Sequence, residues 1–330
     1  MKKLILIIVV IAIIIFGIFY FTSINSVASY QAQSFYIEKG DGAKDIGDKL
    51  VERKIINNKF AFLAYSFFSG KSKKFVPGEH ALPAGLSVIG LTDKLTDTNN
   101  INKERNITIL EGWSLDDIGD YLAKENIVSK ADFMSAADFS LWREKYNFLQ
   151  DPDTKSLEGF LFPDTYRIFI GTTADKIIAK MLDNFGAKVT PQMIMDARTR
   201  NKSFYSTIIL ASIIEREAKY PQDKKNVADV FLKRIEIGMP LQSDATINYL
   251  TKKGETRPKG ADLEIDSPYN TYKYKGLPPG PISNPGLDSI NATIYPQAND
   301  YYYFLTDQNG KAIFAKTYDE HKANIAKYLD

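Results

Sequence analysis

Two stretches decide how this chain is organised: Ile37-Glu-Lys-Gly-Asp-Gly-Ala-Lys-Asp-Ile-Gly-Asp-Lys-Leu50 and Ile109-Leu-Glu-Gly-Trp-Ser-Leu-Asp-Asp-Ile-Gly-Asp-Tyr-Leu122. They align without a gap. Gly40 falls on Gly112, Asp45 on Asp117, Ile46 on Ile118, Gly47 on Gly119, Asp48 on Asp120 and Leu50 on Leu122. Ile55 and Ile127 extend the match. An internal repeat of this length marks a supersecondary unit used twice. Each copy predicts a short strand, a glycine turn and a helix. In the second copy Ser114 suits the helix N-cap, and Ile118 and Leu122 lie one turn apart on one face.

Outward from the repeat, the first copy continues into an apolar helical stretch over Phe60–Phe68. A Pro77-Gly78 turn and a short helix over Leu86–Leu95 follow. The second copy continues into a helix over Lys130–Ala137. Neither copy holds a cluster suited to catalysis, so both read as scaffold or ligand-binding modules. N-terminal to them, Met1-Lys2-Lys3 precedes an uncharged run from Leu4 to Thr22, rich in Ile, Val and Leu. Such a run is long enough to cross a bilayer as a helix, and the leading lysines favour a cytoplasmic N-terminus. It exceeds the usual apolar core of a signal peptide, and Ser26-Val27-Ala28 is a weak cleavage site, so an uncleaved anchor is expected.

From Ser156 the texture changes. Glu158–Arg167 is dense in aromatics, Gly and Pro. Helices are expected over Thr173–Phe185, Thr190–Thr199, Ser203–Ala218 and Asn226–Ile237. Asp266–Gly286 is a long Pro/Gly/Tyr segment of the kind that often carries function. Tyr301–Thr306 and Lys311–Lys316 flank Asn309-Gly310, a strong hairpin signal, and a helix is expected over Tyr318–Leu329.

Composition removes several chemistries. The 330 residues carry 42 Lys+Arg against 40 Asp+Glu, a net charge of +2, so there is no electrostatic footprint for nucleic acid. There is no Cys, which excludes disulfides and thiolate metal sites. The two histidines, His80 and His321, lack metal-ligand spacing and sit in no triad motif. Gly70-Lys71-Ser72 lacks the first glycine of a phosphate loop, which would fall on Tyr65. Gly40-Asp41-Gly42 fails as a dinucleotide fingerprint because Asp45 holds the third glycine position. No metal and no cofactor are expected.

Carboxylate chemistry remains. Glu215 ends the apolar run Ile208–Ile214, with Arg216 and Glu217 beyond it. The plain reading is a helix emerging into water. The functional reading is a carboxyl raised by apolar neighbours and able to protonate a leaving oxygen. Periodicity does not choose between Glu215 and Glu217. Tyr269, Tyr272 and Tyr274, with Phe160, Phe162 and Tyr166, are candidates to pack against sugar rings, although Phe160 and Phe162 read better as core.

Five blocks occur in order: Leu157–Tyr166, Ala211-Ser-Ile-Ile-Glu-Arg-Glu217, Leu241-Gln-Ser-Asp-Ala-Thr246, Tyr269-Asn-Thr-Tyr272 and Gly276–Gly286. Together they resemble the endolytic murein transglycosylase (YceG-like) family, and the resemblance runs over the whole chain. It implies an α+β protein with an N-terminal transmembrane helix, a LysM-like α/β repeat region and a C-terminal mixed α+β catalytic domain. The corresponding spans are a cytoplasmic tip at 1–3, a membrane helix at 4–22, a linker at 23–34, the LysM-like region at 35–148 and the catalytic domain at 149–330. It implies a lyase that cleaves the β-1,4 bond from N-acetylmuramic acid to N-acetylglucosamine and leaves a 1,6-anhydromuramyl end. The family's catalytic Glu falls on Glu215. Gln242, Asp244, Tyr269, Asn270 and Thr271 lie in signature blocks and are expected in the cleft, followed by Glu158 and Asp164.

The resemblance also implies partners: peptidoglycan glycan strands, the cytoplasmic membrane, penicillin-binding proteins and the elongation machinery, with the bulk of the chain on the outer side of that membrane. Three positions depart from the pattern. Ala218 stands where Thr is expected, Ala245 where Pro is frequent, and Gly78-Glu-His-Ala81 where Gly-x-Tyr-x is expected. They bear on substrate contacts rather than on reaction class. Two rival readings are a non-catalytic glycan-binding scaffold and a muramidase-type hydrolase.

Overall fold

The computed structural model describes residues 17, 20–25, 30, 32–100, 104–169, 172–201, 203–254 and 258–329. The chain divides into two compact units, Met1–Arg105 and Asn106–Asp330. The fold is mixed α+β, mostly helical, with two-stranded sheets. Most of the expected membrane span at 4–22 lies outside the described residues. Among the described residues no helix is long and apolar enough to cross a membrane.

In the first unit, strand β1 (Gln33–Ile37) pairs antiparallel with β2 (Gly78–Leu82). Between them run α1 (Ala43–Glu52) and α2 (Lys59–Phe68), and α3 (Val88–Thr96) follows. Phe35, Ile37, Ile46, Leu50, Phe62 and Leu82 form the core. His80 is buried, and its two ring nitrogens lie 3.2 Å from the Lys94 carbonyl and 2.7 Å from the Val76 carbonyl, so it is a satisfied core residue.

The second repeat copy follows the same β-α-α-β order: β3 (Glu104–Thr108), α4 (Leu115–Lys124), α5 (Lys130–Ala136) and β4 (Thr165–Phe169), with β3 paired to β4. The repeated residues have a shared physical cause. Asp45 and Asp117 each accept the N-cap amide of their helix, Gly42 N at 3.0 Å and Ser114 N at 2.9 Å. A Cβ on Gly47 would meet the Phe62 ring at 3.3 Å, and one on Gly119 the Phe133 ring at 3.3 Å. The two helices of each copy therefore approach through a glycine. Asp48 pairs with Lys59, and Asp120 with Lys130.

The second copy does not stand alone. Its Ile107, Ile118, Leu122 and Phe133 share one core with Leu157, Phe160, Phe185, Phe204 and Ile208. The boundary expected at 148/149 thus falls inside the core of the second unit. That core is built around α6 (Ala174–Lys188), α7 (Pro191–Asn201) and α8 (Phe204–Glu217). Phe160, Phe162 and Tyr166 are buried in it, with Phe160 5.3 Å from Phe185, so they do not form a sugar platform.

A second core joins the C-terminal half of α8 to α9 (Pro221–Glu236), α10 (Asp244–Thr251) and α11 (Leu287–Ile294). Helix α9 starts five residues before the expected Asn226, because Pro221 sits at its first turn, where proline is favoured. Strands β5 (Tyr303–Thr306) and β6 (Ala312–Ala315) form the expected hairpin, and α12 (Tyr318–Tyr328) follows.

The Pro/Gly/Tyr segment is pinned rather than loose. Ser212, a polar residue inside an apolar helix, accepts Ile282 N at 3.0 Å, and its carbonyl accepts Ser283 Oγ at 3.0 Å. Asn284, fully buried, accepts Gly159 N at 3.0 Å and Leu161 N at 2.9 Å. Gly159 has φ 90°, and a Cβ there would lie 2.6 Å from Ile208 and 2.8 Å from Pro281. Only glycine fits that crossing.

Candidate active site at the end of helix α8

The last turn of α8 carries two carboxylates two residues apart. On a helix that spacing turns them to nearly opposite sides. Their surroundings differ accordingly.

Glu215 faces α9 and α11. Its Oε1 accepts Lys224 Nζ at 2.8 Å, and its Oε2 accepts Gly286 N at 2.9 Å and Ser289 Oγ at 2.7 Å. The side chains of Glu215 and Lys224 are 6% and 4% exposed, so both charges are withdrawn from water and satisfied by each other. Gly286 is the N-cap of α11, and no side chain of its own caps that helix. Glu215 therefore supplies the cap and meets the positive end of the helix dipole. All three of its partners are donors. Glu111, from the loop between β3 and α4, lies over Gly286, where an added Cβ would meet its carboxylate. Burial raises the Glu111 pKa, and the Glu215 charge raises it further.

Glu217 faces a cleft of about 720 Å³. Arg234, Gln242, Asp244, Tyr272 and His321 line it with Glu217. The Glu217 carboxylate accepts a short hydrogen bond from Ser243 Oγ, and its backbone carbonyl accepts Thr306 Oγ1 at 3.0 Å. Burial pushes the Glu217 carboxyl up to about 7. The Asp244 charge adds to the rise, while the Ser243 hydroxyl, the Ala245 amide and Arg234 oppose it. Arg234 is itself buried. It donates Nε to the Tyr302 carbonyl at 2.8 Å and Nη1 to the Leu241 carbonyl at 2.6 Å, and its guanidinium sits 5.4 Å from the Tyr303 ring centre. Tyr303 in turn stacks on His321 at 5.5 Å.

The floor of this cleft comes from two of the sequence blocks. Gln242 adopts φ 51°, a left-handed conformation uncommon for a residue with a Cβ. Its amide donates to the Thr271 carbonyl at 3.1 Å, and Ser243 N donates to Thr271 Oγ1 at 3.0 Å. Asn270 donates to the Leu263 and Ile265 carbonyls at 2.9 and 2.8 Å and accepts Tyr272 N at 3.0 Å. Tyr272 Oη donates to Asp244 Oδ1 at 2.5 Å.

The expected site residues thus separate into groups. Gln242 and Asp244 line the cleft beside Glu217. Asn270 and Thr271 are fully buried beneath it and fix its loops. Tyr269 is half-buried against Tyr249, 5.2 Å between ring centres. Glu158 lies away from the cleft and is buried; it accepts Leu115 N at 3.1 Å, at the start of α4, and Asn284 Nδ2 at 3.2 Å. Burial pushes its carboxyl up to about 8. Asp164 is exposed at the start of β4 and holds Thr165 N at 2.7 Å and Asn184 Nδ2 at 3.0 Å.

Sequence reading did not single out Ser243 or Arg234. Ser243 sits inside a quoted block, and its hydroxyl was a visible partner for a carboxylate. Arg234 falls in the charged tail of an amphipathic helix, where nothing local distinguishes a buried arginine from a solvated one.

The YceG-like family model matches residues 35–327 of the chain. The endolytic murein transglycosylase of Bacillus subtilis is 34% identical over 306 residues, covering 89% of this chain and 84% of that protein. That of Streptococcus pneumoniae is 30% identical over 322 residues, covering 89% of this chain and 58% of that protein. A solved structure of a putative yceG-like protein from Listeria monocytogenes superposes with a TM-score of 0.61 at 31% identity, covering 89% of this chain and 99% of that one.

Proposed function

Because the chain belongs to the YceG-like family, and is an enzyme of the lytic transglycosylase type its relatives are named for, we propose that it cleaves the MurNAc-β-1,4-GlcNAc bond of peptidoglycan strands in the Glu217 cleft. The observation that carries this reading is the contrast between the two carboxyls of α8. Glu217 opens on a cleft lined by Arg234, Gln242, Asp244 and Tyr272, with a carboxyl at about 7. Glu215, to which the family resemblance pointed, has each carboxylate oxygen engaged and caps a helix.

The chemistry needs one carboxyl used twice. Protonated Glu217 gives its proton to the glycosidic oxygen as the C1–O bond breaks through an oxocarbenium-like state. The GlcNAc portion leaves with a new hydroxyl. The carboxylate so formed takes the proton of the muramyl C6 hydroxyl, whose oxygen bonds to C1. Glu217 is then protonated again, and no water is consumed. The nucleophile is tethered to the sugar it attacks, which removes the entropy cost of recruiting one. A carboxyl near 7 suits both halves of the cycle, since it is neither too weak an acid nor too weak a base at neutral pH. Ser243 orients it. The buried Arg234 and the Asp244–Tyr272 pair set its charge environment.

We further propose that residues 4–22 anchor the chain in the cytoplasmic membrane, with the cleft on the outer side and the repeats acting as LysM-like glycan-binding modules. Glycan strands growing from membrane-bound synthases are then the natural substrate, and cleavage ends their growth. The muramidase reading is favoured by one observation, the second carboxylate Asp244 beside Glu217. Its hydroxyl partner Tyr272 supports a structural role for it instead.

Mass spectrometry of products from purified glycan strands tests the assignment, with the wild type beside Glu217→Gln and Glu215→Gln. Anhydromuramyl ends from wild type and Glu215→Gln but not from Glu217→Gln are expected. Reducing ends would make the enzyme a hydrolase. Loss of products in Glu215→Gln alone, with its fold intact, would return the acid role to Glu215.

A further inference from the structure

Helix α2 is apolar on both sides. Its inner stripe, Ala61, Phe62 and Ser66, is buried against the first repeat's core. Its outer stripe is Phe60, Ala64, Phe67 and Phe68, at the i, i+4, i+7, i+8 spacing of one helix face. Phe60, Phe67 and Phe68 are 81%, 72% and 77% exposed. The module itself does not require Phe60 or Phe67, although Phe68 has its counterpart in Phe139. In the second copy, where Lys130 and Phe133 take the places of Lys59 and Phe62, Ala131 and Asp138 stand opposite Phe60 and Phe67. Three exposed phenylalanines on one face are a docking surface rather than scattered surface residues.

The chain indicates what covers it. The apolar run that begins at Leu4 leads to Tyr20, whose ring meets Phe68 edge-on at 6.4 Å. Phe21 beside it is 65% exposed. Immediately after the helix, Gly70-Lys-Ser-Lys-Lys74 adds positive charge. Lys71 pairs with Asp93, while Lys73 and Lys74 are exposed and form no ion pair among the described residues. Apolar aromatics on one face with unpaired lysines at its rim match the water–lipid interface of a membrane carrying anionic headgroups.

We infer that the outer face of α2 lies on the surface of the membrane that holds residues 4–22, with Phe60, Phe67 and Phe68 in the acyl-chain boundary and Lys73 and Lys74 at the headgroups. The inference rests on the anchor proposed above. It makes the first repeat a membrane-apposed module.

The chain has no cysteine, so single-cysteine spin labels report cleanly. The full chain would be reconstituted in phosphatidylethanolamine/phosphatidylglycerol vesicles with a label at Phe67→Cys or, as a control, at Lys39→Cys. Accessibility to oxygen and to a water-soluble nickel chelate would then be measured. The expected result is a Phe67 label several-fold less accessible to nickel than the Lys39 label, at a depth of about 5–10 Å. Replacing Lys73 and Lys74 by Glu should reduce that protection. Equal nickel access at both labels overturns the docking, provided the chain floats with vesicles after carbonate extraction. Failure to float overturns the anchor and the docking with it. Protection that follows the protein-to-lipid ratio, or that needs an added protein, assigns the face to a second copy or a protein partner and also overturns the proposal.

Discussion

Glu215 and Glu217 share a helix turn, a side-chain type and an apolar approach, yet they sit in opposite kinds of environment. One is caged by Lys224, Gly286 and Ser289. The other has one side-chain hydroxyl partner and a cleft. The difference teaches that burial alone does not make an acid. A buried carboxylate supplied with donors and a cation becomes a structural pin. One supplied with few donors and a like charge keeps its proton near neutrality.

The sharpest way to break this comparison is to neutralise each carboxylate in turn. Glu217→Gln should lower turnover by about 10²–10⁴-fold, the usual range for loss of a general acid, with little loss of folding stability. Strand-cleavage rates and urea melts together check it. A Glu215→Gln enzyme that stays folded but is equally dead would dissolve the contrast.

Next in size is the cage. Glu215→Ala leaves Lys224 buried without its partner and α11 without a cap, so stability should fall by about 3–5 kcal/mol. Adding Lys224→Met to Glu215→Leu should recover the part of that loss that comes from the unpaired lysine, because a buried pair replaced by apolar groups is often near neutral, while the uncapped start of α11 keeps the rest. Chemical denaturation of the single and double variants reads this directly. If Glu215→Ala melts like wild type, the cage is not a pin.

The pH profile sharpens the other side. In the proposed mechanism the first proton transfer needs Glu217 protonated, so turnover should fall as pH rises through about 7. Asp244→Asn removes a like charge and should move that limb to lower pH. Ser243→Ala removes a donor to the carboxylate and should move it to higher pH. Shifts in the same direction for both variants would mean that another group sets the limb.

A further effect is on the pH dependence of stability. The carboxyls of Glu158 and Glu217 are raised, to about 8 and about 7. The folded chain therefore holds these protons to higher pH than the unfolded chain, whose glutamates titrate at about 4.3. The contribution of these two groups to stability should be full below that value and should be lost as pH rises toward 8. Replacing Glu217 by Gln should flatten the part of the fall that ends near 7. Urea midpoints across that range measure it.

Local signals carried much of the fold. The repeat was readable from its recurring aspartates and glycines, whose capping and packing roles the structure then supplied, because each acts within one helix hairpin. Asn309-Gly310 specified the β5–β6 hairpin for the same reason. Two short helices of the second unit were not legible. The cap of α11 comes from Glu215, distant in sequence. The hydroxyl of Ser243, the natural cap of α10, is turned instead to Glu217. A helix whose start is satisfied from elsewhere in the fold carries no local start signal.

The site followed the same division. The sequence by itself marked the carboxylates at the end of α8 as candidates for acid chemistry, and the family resemblance grouped the Leu241–Thr246 and Tyr269–Tyr272 blocks with them and pointed to Glu215. Helical periodicity left Glu215 and Glu217 equivalent, since it describes a residue's own helix and not what faces it. Only the tertiary structure decided which carboxylate met Lys224 and the start of α11, and which met Ser243, Asp244 and Arg234. Those partners are brought in from separate helices and loops. A carboxyl's proton affinity is set by the charges and donors that surround it in space.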